Sequence, residues 1–320
     1  MRTETNLVRR AINGPTMGTR YSAVYFAREE RPLADVHIAL QRAVDAVDSQ
    51  MSTWKPDSDL MRLNREPTGT WLDVPDQLAT VLASALDVGR LSEGAFDIGV
   101  GDLVSAWGFG PGAGVPDPDA IATASSRRRT PAYLALELDP IRKRVCKHAP
   151  ITLDLSSIAK GYGVDELARV LETGGISSYL VSIDGEVRAG QPKPDGSHWR
   201  VAVESPEFGR RAAAGVIEIV DAALATSGDY RHFVEHGHAR AGHTIDPLKQ
   251  APLRDGPSSV TVRAGSSMQA DAWATALMVL GPERGSELAS TLGLEVLFAE
   301  RVTDVPRPMT PARFAHYPSP

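Results

Sequence analysis

The feature that most constrains this chain is how far apart its chemically dense segments lie. LDLSSIAKGYGVDELA (153–168), ALATSGDYR (223–231), HTIDP (243–247) and QADAWATALMVLG (269–281) each join an ionisable or hydroxyl side chain to small residues. Each falls where a strand, turn or helix end is expected. Together they supply carboxylates, a histidine, hydroxyls and a lysine on backbone able to pass close to a ligand. This is the linear form of an anion site built around a metal, and a structural protein has little use for it.

Bulk properties narrow the classes. A chain of 320 residues, 42% hydrophobic and 23% charged, is globular and long enough to bury a core. Its net charge of −6 argues against nucleic-acid binding, which needs a basic face. An acidic protein that handles a polyanion needs local help from a metal, a lysine or aimed backbone N–H groups. The single cysteine, Cys146 in RKRVCKHAP, excludes an internal disulfide and reads as a buried thiol on a strand. MRTETNLVRRAINGPTMGT has no apolar signal region and no lipobox cysteine, and no run of about 18 apolar residues occurs anywhere. A complete chain of this kind is expected in the cytoplasm, with no membrane span.

GTRYSAVYFA (18–27) alternates as a strand does. Leu33, Val36, Leu40, Val44, Val47 and Met51 recur at three and four and predict a helix over 33–51, ended before Lys55-Pro56. A second helix is predicted over 76–91. GAFDIGVGDLVSAWGFGPGAG is too irregular for a plain helix, and 112–131 reads as a surface excursion. Short strands are expected at 133–138 and 144–147. A helix then follows LDLSS and stops at Gly174-Gly175. SYLVSID, WRVAVES, GVIEIVD, ALATS, SSVTVRA and LEVLFAE read as strands, with a helix over 268–280 between the last two. Many strands on short turns with a few helices indicate an α+β fold, and no long linker divides it. Residues 1–14 are expected to be a flexible N-terminus and 15–315 one compact unit.

Several residues invite chemistry. Asp271 and Thr275, four apart on a helix, present an acidic and a hydroxyl oxygen on one face, a hard-ligand pair suited to Mg²⁺ or Ca²⁺. They are also compatible with a carboxylate at a helix start and a packed threonine. Lys160 is misplaced at a helix start for the macrodipole, which a bound anion or simple solvation would explain. Ser156, Ser157, Gly161 and Gly163 would let backbone approach a ligand. His243 can exchange a proton near neutrality or be structural, and Asp246 before Pro247 reads as a turn residue. Thr226, Ser227, Gly228 and Asp229 suit a hydrogen-bonding turn after a strand. Trp54, Trp107 and Phe109 are candidate stacking platforms or core residues. A P-loop, a GxSxG elbow and a dinucleotide GxGxxG are absent.

In order, PTMGTRYS (15–22), MSTWKPDSDLMRLN (51–64), GAFDIGVGDLVSAWGFGP (94–111), LDLSSIAKGYGVD, ATSGDYR, HTIDP and ADAWATAL resemble the FAD:protein FMN transferase family, the ApbE-type flavin transferases. The resemblance covers about residues 15–285. It implies one compact unit of mixed or antiparallel sheets packed with helices. It also implies Mg²⁺-dependent cleavage of the FAD pyrophosphate that moves FMN onto a threonine or serine of an acceptor flavoprotein and releases AMP. Met17, Trp54 (in place of a common tyrosine), Ala95, Phe96, Asp97, Asp154, Lys160 and Ile245 fall at the family's FAD-binding positions. Ser157 (through its carbonyl), Asp271, Thr275 and the carbonyl of Ala274 fall at its magnesium positions. His243 is the candidate base for the acceptor hydroxyl. Two departures stand out: GAFDIGVGDL lacks two usual prolines, which would loosen a loop near FAD, and Asp184 in SIDGE replaces a glycine. An FAD pyrophosphatase with water as acceptor, and a non-catalytic FAD-binding protein, are the competing readings.

Overall fold

A computed structural model of the chain describes residues 7–299, apart from 31, 112–113, 207–211, 230–232, 237–238 and 255. From the N-terminus, β1 (Leu7–Thr16) and β2 (Thr19–Arg28) form a hairpin, followed by α1 (Leu33–Met51) and α2 (Asp59–Arg65). A short β3 (Trp71–Asp73) leads to α3 (Asp76–Leu91), α4 (Gly101–Ala106), α5 (Pro118–Ser126) and one turn, α6 (Ala132–Ala135). β4 (Leu136–Asp139) and β5 (Arg144–Lys147) precede α7 (Ala159–Thr173). Then come β6 (Tyr179–Ile183), β7 (Glu186–Ala189), β8 (Trp199–Glu204), β9 (Ala213–Ile219) and β10 (Ala222–Gly228). The chain continues through β11 (Phe233–His236), β12 (Ala239–Gly242), β13 (Ile245–Asp246) and β14 (Ala251–Pro252). It ends in β15 (Ser259–Ala264), α8 (Ser267–Leu292) and β16 (Glu295–Ala299).

Among the described residues the main sheet has seven strands in the order β1-β2-β6-β7-β10-β15-β16, and every neighbouring pair is antiparallel. The fold is therefore α+β, as the strand pattern indicated. Tyr21, Tyr25 and Tyr179 are buried with Leu40, Val44, Val164 and Leu167, so one part of the sheet packs on α1 and α7. A second core joins α3, α7, α8 and β15 through Leu78, Leu82, Ile158, Val260 and Leu277. β8 and β9 form a separate ribbon, which rests on the sheet through Trp199, Ile219, Val187 and Leu224. No helix among the described residues is long and apolar enough to cross a membrane.

The helices over 33–51, 76–91 and 159–173 lie where periodicity places them. The structure corrects the N-terminus: residues 7–14, expected to be flexible, belong to β1 and pair with β2 along its whole length. Alternating Ile12, Gly14 and Thr16 supply the buried edge that apolar counting undervalues. The excursion over 112–131 contains α5, started by Asp117, whose carboxylate accepts from the Asp119 and Ala120 N–H groups. Residues 132–135 form a helical turn before the strand. The helix expected over 268–280 runs further, as two segments separated by Gly281 (φ 77°) and Pro282. Residues 300–315, and Tyr230-Arg231 of the ATSGDYR motif, lie outside the described residues.

Candidate active site

Two cavities meet over the main sheet. The larger, about 1000 Å³, is walled by the β1–β2 turn, the end of α1, the start of α7, the β6–β7 turn, β8, β10 and α8. The smaller, about 580 Å³, lies against the 95–98 loop, Asp154 and the 243–247 segment. Thr53, Trp54, Ser156, Ser157, His243 and Thr275 border both.

Tight turns deliver several of these groups. Thr16 pairs with Thr19, leaving Met17 (φ 45°) and Gly18 (φ 71°) as a two-residue hairpin turn with both residues left-handed. Met17 thereby faces the larger cavity. Ile183 pairs with Glu186, so Asp184 and Gly185 form the next hairpin tip. Asp184 sits at φ 54°, a conformation aspartate tolerates better than most residues, which is why the missing glycine is accommodated.

Lys160, in the first turn of α7, reaches Glu186 Oε1 at 2.9 Å and Asp184 Oδ2 at 3.7 Å and faces the larger cavity. Burial alone would lower its pKa, but Glu186, Asp271 and Asp184 hold it above the usual lysine value, so it is a fixed cation. Glu186 is itself buried and its Oε2 has no hydrogen-bond partner. Asp271 Oδ2 accepts the Gly161 N–H at 2.9 Å. Burial, then Glu186, push the Asp271 carboxyl up to about 8 against the opposing pull of Lys160 and Gly161. Thr275 Oγ1 lies 3.1 Å from Ser227 Oγ, and Thr226 Oγ1 lies 2.8 Å from Thr261 Oγ1 across the β10–β15 ladder. Thr226 and Ser227 thus belong to the strand itself, one step earlier than the turn expected of them.

The smaller cavity gathers Ala95, Phe96, Asp97, Asp154 and Ile245. Asp97 Oδ1 accepts from Gly99 N (2.8 Å) and Ala132 N (3.0 Å), and burial raises its pKa despite those bonds. The loop without its usual prolines is tied down instead by Arg129. That guanidinium grips both Asp102 oxygens, at 2.9 and 2.5 Å, and the Gly99 carbonyl at 2.5 Å. Asp154 Oδ1 accepts the Ser156 N–H at 2.8 Å and so shapes the bend before α7. His243 presents its ring 6.4 Å from that of Phe109, edge to face. Trp54 is 65% exposed at the rim where the cavities join, so it is not a core residue. Trp107, by contrast, is core. Asp246 is the turn residue expected, its Oδ1 accepting from Leu248 N and Lys249 N.

Most of the residues singled out from the sequence therefore converge. Of the cofactor and metal positions, Ala274 alone is buried and lines neither cavity. Gly161 and Gly163 do a different job from the ligand approach expected of them. A Cβ on Gly161 would lie 2.3 Å from the Ser267 carbonyl, and one on Gly163 would lie 2.8 Å from Ile183 and 3.0 Å from Met17. They allow helix and turn to touch. Glu186, Arg129 and Asp165 were missed, since a charged residue in a short strand, a loop or a helix carries no linear sign of a distant partner.

The donors suit a hard cation. The Asp271 carboxyl and the Thr275 hydroxyl face the larger cavity beside Ser157, in a lining that also carries Asp184 and Glu186, and among the described residues no group of three or more His, Cys, Asp or Glu could hold a metal. Asp271 and Thr275 are oxygen donors of the hard kind that Mg²⁺ accepts beside waters and phosphate.

Residues 17–298 match the model of the ApbE family. The FAD:protein FMN transferase of Vibrio cholerae is 39% identical over 298 residues, covering 92% of this chain and 88% of that protein. That of Escherichia coli K12 is 35% identical, covering 92% and 84%. The solved flavin transferase ApbE of V. cholerae superposes with a TM-score of 0.81 at 36% identity over 91% of this chain and 93% of that one. The apo flavinyl transferase ApbE of Pseudomonas stutzeri gives 0.80 at 36% identity over 93% and 92%.

Proposed function

The chain belongs to the ApbE family, and from that premise we propose that it is an FAD:protein FMN transferase. In this reading it uses Mg²⁺ to cleave the FAD pyrophosphate, attaches FMN through a phosphoester to a threonine or serine of an acceptor flavoprotein, and releases AMP. The observation that carries the reading is the meeting of two cavities at Ser157, His243 and Thr275, with Lys160 and Asp271 beside the junction. A dinucleotide has two bulky ends and a charged waist, and the polar groups here gather at the waist.

Asp271 and Thr275 would hold the ion, with the carbonyl of Ser157; Ala274, which lines neither cavity, is left out. An ion held there would supply positive charge opposite the pyrophosphate and the leaving AMP. Met17, Trp54, Ala95, Phe96, Asp97, Asp154 and Ile245 hold the two ends of FAD, and Lys160 supplies positive potential at the waist. His243 takes the proton of the acceptor hydroxyl as its oxygen attacks the phosphorus of the FMN half. The bond to the AMP oxygen breaks, and AMP leaves as the anion. Positioning and electrostatics account for most of such a transfer.

Incubation with FAD, Mg²⁺ and a threonine-containing acceptor peptide tests this. AMP with a peptide heavier by one FMN is expected. AMP with free FMN and unmodified peptide would make the protein a pyrophosphatase, and intact bound FAD would make it a binding protein. His243→Ala is expected to lose transfer while keeping FAD affinity; equal losses in both would make His243 a binding residue.

A further inference from the structure

Asp271 and Thr275 can serve one ion only if α8 starts at a set residue and at a set rotation, since a slip of one residue turns its ligands by about 100°. The start of α8 is held from outside the helix. Asp165, on α7, accepts the Ser267 N–H with Oδ1 and the Met268 N–H with Oδ2, each at 2.9 Å. The Ser266 hydroxyl accepts from Gln269 N at 3.3 Å, and Ala270 N opens the helical ladder on the Ser266 carbonyl at 3.1 Å. The first four N–H groups of the helix are thus all satisfied, two of them by one carboxylate from a different helix.

A second contact lies one turn along. Gly161 precedes Asp165 by four residues, and its N–H holds Asp271, which follows Ser267 by four. The two helices cross in opposite directions, joined at Asp165 with Ser267–Met268 and at Gly161 with Asp271. The crossing is close enough for a Gly161 Cβ to strike the Ser267 carbonyl. Ser267, Asp271 and Thr275 form one stripe, so whatever sets the first sets the other two. Arg188 steadies the carboxylate from behind, with Nη1 2.8 Å from Asp165 Oδ1 and Nη2 3.7 Å from Glu172.

We propose that Asp165 is a positioning residue for metal binding: by capping α8 from α7 it sets the register that brings Asp271 and Thr275 to a common ion. It touches neither the ion nor the substrate. The proposal rests on the reading of Asp271 and Thr275 as metal ligands.

Direct Mn²⁺ binding, followed by electron paramagnetic resonance on the whole chain without FAD, tests it together with FAD affinity in EDTA and the melting temperature. Asp165→Asn is expected to weaken Mn²⁺ about ten- to a hundredfold, the usual cost of losing a residue that orients a ligand, with FAD affinity unchanged. Arg188→Met keeps the two capping bonds. It is expected to lower the melting temperature while leaving Mn²⁺ affinity close to that of the unsubstituted protein. Should Asp165→Asn fail to fold, Asp165→Glu, which keeps the charge but sets the oxygens one methylene further out, is expected to weaken Mn²⁺ in the same selective way. Unaltered Mn²⁺ binding in a folded Asp165 variant overturns the proposal alone. So do parallel losses of Mn²⁺, FAD affinity and stability in both the Asp165 and the Arg188 variants, which would make Asp165 only structural. An unsubstituted chain whose Mn²⁺ binding is absent, or indifferent to Asp271→Asn, overturns the metal reading and this proposal with it.

Discussion

Asp271 shows how one side chain ties stability to chemistry. Burial and the neighbouring Glu186 raise its carboxyl to about 8, so the folded, metal-free protein favours the protonated form. A carboxyl raised above its unfolded value contributes stability in full at acid pH and loses it as pH climbs through about 8. A cation needs the carboxylate, so its affinity rises over the same interval. We expect the metal-free melting temperature to fall and Mg²⁺ affinity to rise as pH approaches about 8, with both trends flattened in Asp271→Asn. Melting curves and calorimetry across pH check this, and a native Mg²⁺ affinity indifferent to pH would take Asp271 out of the site. The same variant should bind FAD yet release no AMP. Trp54 makes the opposite case, since at 65% exposure it contributes little to the fold. Trp54→Ala should change stability by less than about 0.5 kcal/mol. It should nevertheless weaken FAD by about 1–3 kcal/mol if an aromatic ring of the ligand stacks there. Fluorescence titration decides, and unchanged affinity would return Trp54 to the ordinary surface.

At the scale of elements, the crossing of α7 and α8 is the joint on which the site turns. Gly161 is the residue that allows it. Gly161→Ala is expected to force the helices apart, costing at least about 1–3 kcal/mol by denaturant unfolding and weakening Mg²⁺ binding as well. A variant of native stability would mean the helices separate without strain. Gly161 and Gly163 were legible in the sequence as places of close approach, but not what would approach. A glycine specifies space, and the fold decides whether a ligand or another helix fills it. The helices over 33–51 and 76–91 were readable because their apolar stripes are continuous. β1 was not, because this edge strand buries only alternate residues, Ile12, Gly14 and Thr16, too few to stand out. The run of seven motifs located the site segments, while Glu186 and Asp165 escaped because their partners, Lys160 and the start of α8, lie far away in sequence.

For the whole molecule, the proposed function puts the two halves of FAD in the two joined cavities. FMN and AMP are therefore expected to bind together, each displaced by FAD but not by the other. Equilibrium dialysis with both ligands tests this, and mutual competition would confine the ligand to a single cavity. The α+β class, the main helices, the placing of Asp271 and Thr275 on one helical face and the family resemblance were determined by sequence alone. They depend on local periodicity, on spacing along one helix and on short motifs in a given order. Only the tertiary structure decided that β1 is part of the sheet, that Lys160 faces Glu186 and Asp184, that Arg129 ties Asp102 to the Gly99 carbonyl and that Asp165 caps a helix about a hundred residues away. Those are contacts between distant segments, and their energies depend on positions in space that no local pattern encodes.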